Sequence, residues 1–353
     1  MHVMERSMAG RQRVVTFGEI MLRLSSPGFS KLVQASSFDV NYGGGEANVA
    51  VSLASFGLDA AFVSAIPAND IGQAAINSLR AFGVDTSRIK REGKRLGIYF
   101  LETGASQRAS RVIYDRAGSA ISQVNEDSFD ADEIFDGATW FHWTGITPAL
   151  GEGPARAVAM LARAAKDRGL RVSSDLNFRA KLWTPAEAQN VMRPLMEHVD
   201  VCICNEEDAQ TSLGLEPENT DIHSGELDES GYAKLAARLK NDFGFDTVAI
   251  TLRESFSASR NGWSAIMLDD KDCKDAYRSS RYDIQIVDRV GGGDSFAAGL
   301  IAGLLTKPST REALEFAVAA SCLKQTIPGD VNPVSAAEVE SLLKSGGSGR
   351  VQR

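Results

Sequence analysis

The stretch Ile284-Gln285-Ile286-Val287-Asp288-Arg289-Val290-Gly291-Gly292-Gly293-Asp294-Ser295-Phe296-Ala297-Ala298-Gly299-Leu300 joins a β-rich run to a helix-like run through three consecutive glycines. It reads as a strand, a tight turn and a helix start. Successive glycines let unpaired backbone N–H groups approach an anion closely, and the helix dipole adds about half a positive charge at that end. A phosphate fits such a place. Asp294 is the odd member, because a carboxylate there repels a phosphate unless it faces a hydroxyl nucleophile. Local chemistry leaves two readings open. Asp294 is the N-terminal cap of the helix, or it orients and deprotonates an attacking alcohol while backbone donors stabilise charge on a transferred phosphoryl group. No Gly-Lys-Ser/Thr follows at P-loop spacing, and the run lies near the C-terminus instead of after the first strand, which also disfavours a dinucleotide fingerprint.

The same alternation runs upstream. Apolar runs at 14–19, 60–66, 140–145, 171–175, 199–204 and 247–252 predict buried strands, and runs at 47–56, 71–82 and 154–168, each followed by glycine, predict helices. Strands alternating with helices of about 12 residues imply an α/β chain with a mainly parallel sheet covered on both faces. Residues 97–102 and 110–114 break the alternation with β-rich patterning around Gly104-Ala105-Ser106. This inserted hairpin is a lid over the carboxyl edge of the sheet, a surface that pairs with another subunit, or surface decoration. The acidic region 216–230 is expected to be a solvated loop, and the Ser-Gly-rich segment after Lys344 a flexible tail, here 344–353.

With 353 residues, 43% hydrophobic and 24% charged, the chain can bury a large core. A formal net charge of -8 argues against coating nucleic acid, which needs clustered Lys and Arg, and favours a small-molecule substrate met by a few local cations. Cys202, Cys204, Cys273 and Cys322 are expected as reduced thiols in a cytoplasmic protein, with Cys202 and Cys204 on opposite faces of their strand. No segment reaches the ~18 apolar residues of a membrane span. Residues 1–13 lack the apolar stretch of a secretory signal and are expected as a flexible leader.

Asp288 with Gly291-Gly292-Gly293-Asp294 resembles the C-terminal signature of the ribokinase-like, or PfkB, family of carbohydrate kinases. Tyr42-Gly43-Gly44-Gly45-Glu46-Ala47-Asn48-Val49-Ala50 resembles that family's N-terminal Gly-Gly and Asn element, about 240 residues away and in the right order. The resemblance covers roughly residues 14–342. It is closest to the 2-keto-3-deoxygluconate kinases, on Gly18-Glu19-Ile20-Met21-Leu22-Arg23-Leu24, Arg111-Val112-Ile113-Tyr114-Asp115-Arg116, Asp175-Leu176-Asn177-Phe178-Arg179-Ala180-Lys181-Leu182-Trp183 and Ile327-Pro328-Gly329-Asp330. It implies a ribokinase-like three-layer α/β/α sandwich, one kinase domain over 14–343, with a small β-sheet lid from about 19–42 and 96–116. It also implies ATP along the sheet edge, Mg²⁺ on its phosphates, and a homodimer through the lid.

Carried over residue by residue, the resemblance makes Asp294 the base acting on the sugar 6-hydroxyl and Gly291, Gly292 and Gly293 the anion hole. Arg179 falls between phosphate and substrate. Gly44, Gly45, Glu46 and Asn48 would contact sugar hydroxyls, Tyr99, Tyr114 and Arg116 a keto acid under the lid, and Asp330 would be a late substrate contact. A carboxylate-bearing sugar suits guanidinium partners, whereas a neutral hexose has no need of them; either arginine, Arg116 or Arg179, could instead belong to a structural ion pair. Asn177, Asn205, Thr251, Arg253, Glu254, Ala319 and Cys322 fall on the nucleotide side, although Arg253 and Glu254 stand where many relatives have a Leu-Gly-x-x-Gly turn. Glu207 and Asp208, in an Asn-x-x-Asp variant of an Asn-x-x-Glu element, would organise the water shell of Mg²⁺, or simply favour a helix N-terminus. Asp288 and Val290 fall where relatives hold a monovalent cation such as K⁺. The implied reaction is phosphorylation of 2-keto-3-deoxygluconate. A fructokinase or another PfkB sugar kinase is the alternative, and a non-catalytic sugar-binding module would retain the glycines without needing Asp294. A nucleotide-dependent dehydrogenase, which Gly43-Gly44-Gly45 could suggest, lacks an acidic ribose partner in context.

Overall fold

Along the central strands, consecutive side chains enter two different cores. Val14, Trp140, Val201, Ile203 and Ala249 pack with Val49 and Leu53 of the helix Gly45–Ser55 and with the helices Gly292–Thr306 and Thr310–Lys324. Their neighbours Val15, Phe141, Cys202, Val248 and Ile250 pack on the other side, against the helices Glu152–Asp167, Pro185–Leu195, Glu206–Leu213 and Glu229–Phe243. A strand buried on both faces has no polar side to spare, which is why these runs read as continuously apolar. The result is the expected α/β/α sandwich. This computed structural model describes residues 12–216, 229–270 and 275–346. Residues 1–11 of the leader, Cys273, most of the acidic region and most of the tail lie outside those residues, while Arg13, expected in the leader, opens the first strand and pairs with Asp85.

The large sheet has ten strands. Its parallel part runs Thr247–Ser257, Val201–Asn205, Arg171–Asp175, Trp140–Thr144, Arg13–Phe17, Asp59–Ile66 and Ile89–Arg91. Arg260–Asp269 adds antiparallel to Thr247–Ser257, and Tyr277–Arg278 and Tyr282–Gln285 both pair with Arg260–Asp269. Thr247–Ser257 therefore runs five residues beyond the predicted end at 252, through the position where a glycine turn was a family expectation. Arg253 and Glu254 continue the ladder, opposite Trp263 and Gly262.

Cys202 and Cys204 do not point to opposite faces. They are two residues apart, the strand repeat is two, and both side chains join the same core.

A separate four-stranded sheet has the order Asp39–Gly43, Met21–Ser25, Gly97–Glu102, Arg111–Asp115. The patterned hairpin supplies only the last two strands. Met21–Ser25 joins it in parallel, and Asp39–Gly43 follows antiparallel. One face carries Met21, Tyr99, Leu101, Val112 and Tyr114. The other carries a cross-strand row, Val40–Leu24–Phe100–Ile113, whose ends Val40 and Ile113 are 58% and 42% exposed.

Candidate active site

The parallel strands end at one edge, and there Asp175 and Asn205 meet the small sheet's Met21, Tyr99 and Tyr114 across a cavity of about 420 Å³. Pockets of this size and position, at the carboxyl edge of an open α/β sheet, are where such folds bind small ligands. The helices Gly45–Ser55 and Gly292–Thr306 both point their N-termini into it, through Gly44, Gly45, Asn48 and Gly291 to Asp294.

Asp294 lies in the first turn of Gly292–Thr306, where Asn48 Nδ2 donates to its Oδ2 at 2.7 Å. Burial pushes its carboxyl up to about 6, against the opposing effects of the Asn48 hydrogen bond and the Arg179 charge. It is not the N-cap; that position is Gly291, which has no side chain to accept the helix N–H groups. Gly291 has φ +79°, and a Cβ there would lie 1.9 Å from the Asp330 carbonyl oxygen, so the turn admits glycine alone. Gly293 is different: an added Cβ would meet nothing within 4 Å. The fold itself makes no demand for glycine there. The space it leaves belongs to the cavity.

A buried guanidinium ties the small sheet to this turn. Arg23 donates to Asp330 Oδ2 at 2.8 Å, to Asp288 Oδ2 at 2.5 Å and to Ser25 Oγ at 2.7 Å. Asp288 also accepts from the backbone N–H of Val290 at 3.0 Å and of Gly329 at 3.1 Å. The Tyr99 hydroxyl donates to Asp330 Oδ1. Asp330 and Tyr99 line the cavity, yet their polar atoms already serve each other and Arg23.

Several residues expected at the ligand are engaged elsewhere. Glu46 is fully buried and does not reach the cavity; its Oε1 accepts from the Thr144 N–H and hydroxyl and from the Thr147 hydroxyl, at 3.0, 2.8 and 2.7 Å. It fastens the helix start to a strand end, and burial raises its carboxyl to about 7. Glu254 alternates away from the cavity and forms a two-pronged pair with Arg281, at 2.9 and 2.7 Å, while Arg253 faces inward. Ala319 is buried in the helical core, and Cys322 packs at its margin, so neither lines the cavity. The Asp288 carboxylate is committed to Arg23, although Val290 does reach the cavity wall. Arg116 lines the cavity with its guanidinium paired to buried Glu19 and 5.3 Å over the Tyr114 ring.

The structure brings Arg179, Asn177, Asn205, Thr251, Glu207 and Asp208 to the same cavity. Asn177 holds φ +40°, a conformation non-glycine residues rarely adopt, and Asp208 Oδ1 accepts from the next N–H, of Phe178, at 3.0 Å. The Asn205 side chain caps the helix Glu206–Leu213 through the Asp208 N–H, at 2.8 Å. Sequence reasoning gave no role to Asp175, Arg289, Asn261, Trp263 or Gln325, all of which line the cavity. Burial raises the Asp175 carboxyl well above its usual range, and the charges of Asp208 and Asp294 add to that. Arg289 stood inside the glycine signature, and a cation beside an anion cradle was the available signal. Its guanidinium is pushed down by burial and by the neighbouring Arg253. Arg289 Nε, Asn261 Oδ1, Trp263 Nε1 and Gln325 Nε2 are buried without a partner. Four unsatisfied polar atoms on residues that line the cavity call for a ligand that supplies both donors and acceptors.

The pfkB family carbohydrate kinase model matches residues 11–337. The chain belongs to the pfkB family of carbohydrate kinases. This kinase is 33% identical to a 2-dehydro-3-deoxygalactonokinase of Haloferax volcanii over 95% of its own length and 98% of that protein's. It is 30% identical to a 2-dehydro-3-deoxygluconokinase of Thermoproteus tenax over 94% of each chain. Among solved structures it superposes on a 2-dehydro-3-deoxygluconokinase from Thermotoga maritima with TM-score 0.90 at 51% identity, covering 95% of this chain and 100% of that one. It is therefore a phosphotransferase acting on a sugar.

Two outcomes follow for this pfkB kinase. Turnover that requires an ionised Asp294 should fall as pH drops through about 6, and Asn48→Ala, which removes a hydrogen bond that favours the carboxylate, should move that limb upward. A pH–rate profile of sugar-dependent ADP release checks both; a limb near ~4, the value of an unperturbed Asp, would show that another group titrates. Gly293→Ala should fold with an unchanged melting transition and lose turnover by ~100-fold or more if the cavity space beside this helix start receives the transferred group, because the added methyl would fill that space. Near-normal kcat would remove Gly293 from the site.

Proposed function

We propose that this kinase transfers the γ-phosphoryl group of ATP to the 6-hydroxyl of 2-keto-3-deoxygluconate, giving the 6-phosphate and ADP, in the cytoplasm. The observation that carries the reading is the buried Asp294 carboxylate, raised to about 6, at the N-terminus of a glycine-started helix. A general base works best with a pKa near the working pH, and the adjacent amides of the helix start suit charge on the transferring group. Asp294 accepts the hydroxyl proton, the sugar oxygen bonds to the γ-phosphorus, and the bond from phosphorus to the ADP oxygen breaks. Asn48 holds the carboxylate in place. The 51% identity to the Thermotoga maritima gluconokinase supports the sugar assignment.

The carboxylate of the sugar acid is assigned to Arg179, which lines the cavity and has no carboxylate partner among the described residues, instead of to Arg116, whose guanidinium is held by Glu19. Arg253 and Arg289 are assigned to the anionic nucleotide, with Asn261, Trp263 and Gln325 offering their unsatisfied atoms on that side. Mg²⁺, which would neutralise charge on the phosphates, suits the wall where Asp175, Asp208 and Asp294 lie close enough to raise the Asp175 carboxyl. Glu207 and Asp208 would hold it through waters, consistent with the lack of a direct three-ligand cluster among the described residues.

The small sheet is proposed as a lid within one kinase unit over residues 14–343, and as the contact to a second copy. The row Val40–Leu24–Phe100–Ile113 is apolar and open at its ends, with Phe38 packed edge-on to Phe100 at 5.8 Å. A symmetric partner presenting the same row would cover it.

Coupled ADP release across 2-keto-3-deoxygluconate, its C4 epimer 2-keto-3-deoxygalactonate, fructose and ribose tests the substrate. The gluconate should give the highest kcat/KM, the epimer second. Fructose outperforming both acids would overturn the assignment, and a preference for the epimer would shift it to the activity named for the Haloferax relative. Asp294→Asn should abolish turnover with sugar binding retained; retained turnover sinks the mechanism. Val40→Asp with Ile113→Asp should convert a dimer to monomer in sedimentation, and an unchanged mass would place the subunit contact elsewhere or nowhere.

A further inference from the structure

Lys324, the last residue of the helix Thr310–Lys324, is fully buried, with 0% of its surface exposed. Lysine is among the residues least often enclosed, and an enclosed ammonium normally sits on a carboxylate. This one does not. Its Nζ donates to two backbone carbonyls, Asp288 at 3.2 Å and Ile327 at 3.3 Å, and to no carboxylate among the described residues. Those carbonyls belong to the two loops that frame the anion hole. The first opens the glycine turn, and the second leads into Gly329 and Asp330, whose carbonyl lies against Gly291. The side chain passes the turn itself, since a Cβ on Gly291 would come within 3.3 Å of Lys324 Cε.

We propose that the Lys324 ammonium is the resident cation of the glycine turn, holding the two loops so that Gly291–Gly293 face the transferring phosphoryl group, and that turnover therefore needs no added monovalent cation. A site for such a cation was expected at Asp288 and Val290, and the residues present do not fit one. The Asp288 carbonyl is bonded to an ammonium, and the Asp288 carboxylate is bonded to Arg23. A further positive ion there would be repelled by both at short range in a site that excludes water. Burial lowers the lysine's pKa, and Arg23 adds to that, while the charges of Asp288, Asp330 and Asp294 oppose the shift and favour the ammonium. Asp294 in turn feels it, so the same group that orders the turn also favours the ionised base. Lys324 touches no reacting atom in this scheme. It is a positioning residue, and the inference rests on phosphoryl transfer at Asp294 but not on the identity of the sugar.

The test compares initial rates in KCl, NaCl and choline chloride at equal ionic strength, with whichever sugar the wild-type kinase phosphorylates fastest. A wrong sugar assignment leaves the ratios between salts intact. Wild-type rates should agree within about twofold, whereas a rise of tenfold or more specific to K⁺ would overturn the proposal. Lys324→Met, matched in length without the charge, should keep KM for sugar and ATP within about threefold and lose kcat by ~100-fold, the scale of an anion-hole defect. A kcat within threefold of wild type would overturn it. Lys324→Ala should regain at least tenfold with KCl or NH₄Cl and nothing with choline chloride. A folded Lys324→Ala that no small cation rescues would reduce the lysine to packing and equally overturn the inference. If neither variant folds, the wild-type salt comparison decides alone.

Discussion

The site depends on two helices holding their N-termini level. Gly45–Ser55 and Gly292–Thr306 share one core, to which the first gives Val49 and Leu53 and the second Phe296 and Leu300. Their first turns meet in the hydrogen bond from Asn48 to Asp294. Each helix start contributes unpaired N–H groups and the positive end of a dipole, and the two together make a field that neither supplies alone. A carboxylate placed in that field would ordinarily be held strongly acidic. Burial outweighs the field here, leaving Asp294 near 6 and able to exchange a proton in the range where cells work.

The turn that makes this possible cannot stand by itself. Gly291 presses on the Asp330 carbonyl, and the carboxylates of Asp288 and Asp330 are bridged by Arg23 from the small sheet. The small sheet is therefore tied to the glycine turn by charge as well as by the packing of Val290 against its Met21, Tyr99 and Leu101. Removing Arg23 would leave two buried carboxylates facing each other, and losing one partner of a buried pair typically costs about 3–5 kcal/mol. That tie fixes Met21–Ser25 to the glycine turn, whereas at the Arg111–Asp115 side Tyr114 is flanked by Arg116 and Lys181.

How much of this could be read from the chain divides by physical cause. Periodicity and glycine punctuation placed the buried strands and the helices that follow them, because burial on two faces and helix termination are local constraints written in local sequence. The short strands Met21–Ser25 and Asp39–Gly43 have no such signature; their pairing partners are distant, and only the resemblance pointed to that region. Glycines 291–293 and Asp294 were visible as a constellation for the same local reason. The partners of charged residues were not. Glu46 turned inward to two threonines, Glu254 to Arg281 and Arg116 to Glu19, and each of those partners comes from another element of the fold. A carboxylate one residue past a glycine signature looks like a ligand contact until the strand end that receives it is known.

Charge separation at the cavity ties these observations together. Asp175, Asp208 and Asp294 gather on one wall, while Arg179, Arg253 and Arg289 face the same space without carboxylate partners among the described residues. Arg179 offsets Asp175 and Asp294 only in part, since burial still leaves both carboxyls raised. Burial has already strained both sets, raising the Asp175 carboxyl and lowering the Arg289 guanidinium. A ligand that brings an anionic chain to the arginines and a cation to the aspartates relieves both at once. A nucleoside triphosphate with its divalent ion has that pattern, and a sugar lacking both does not. The site thus approaches electrostatic balance once an anionic chain and its divalent ion are in place, because each then meets the set of charges that burial has left without a counterion.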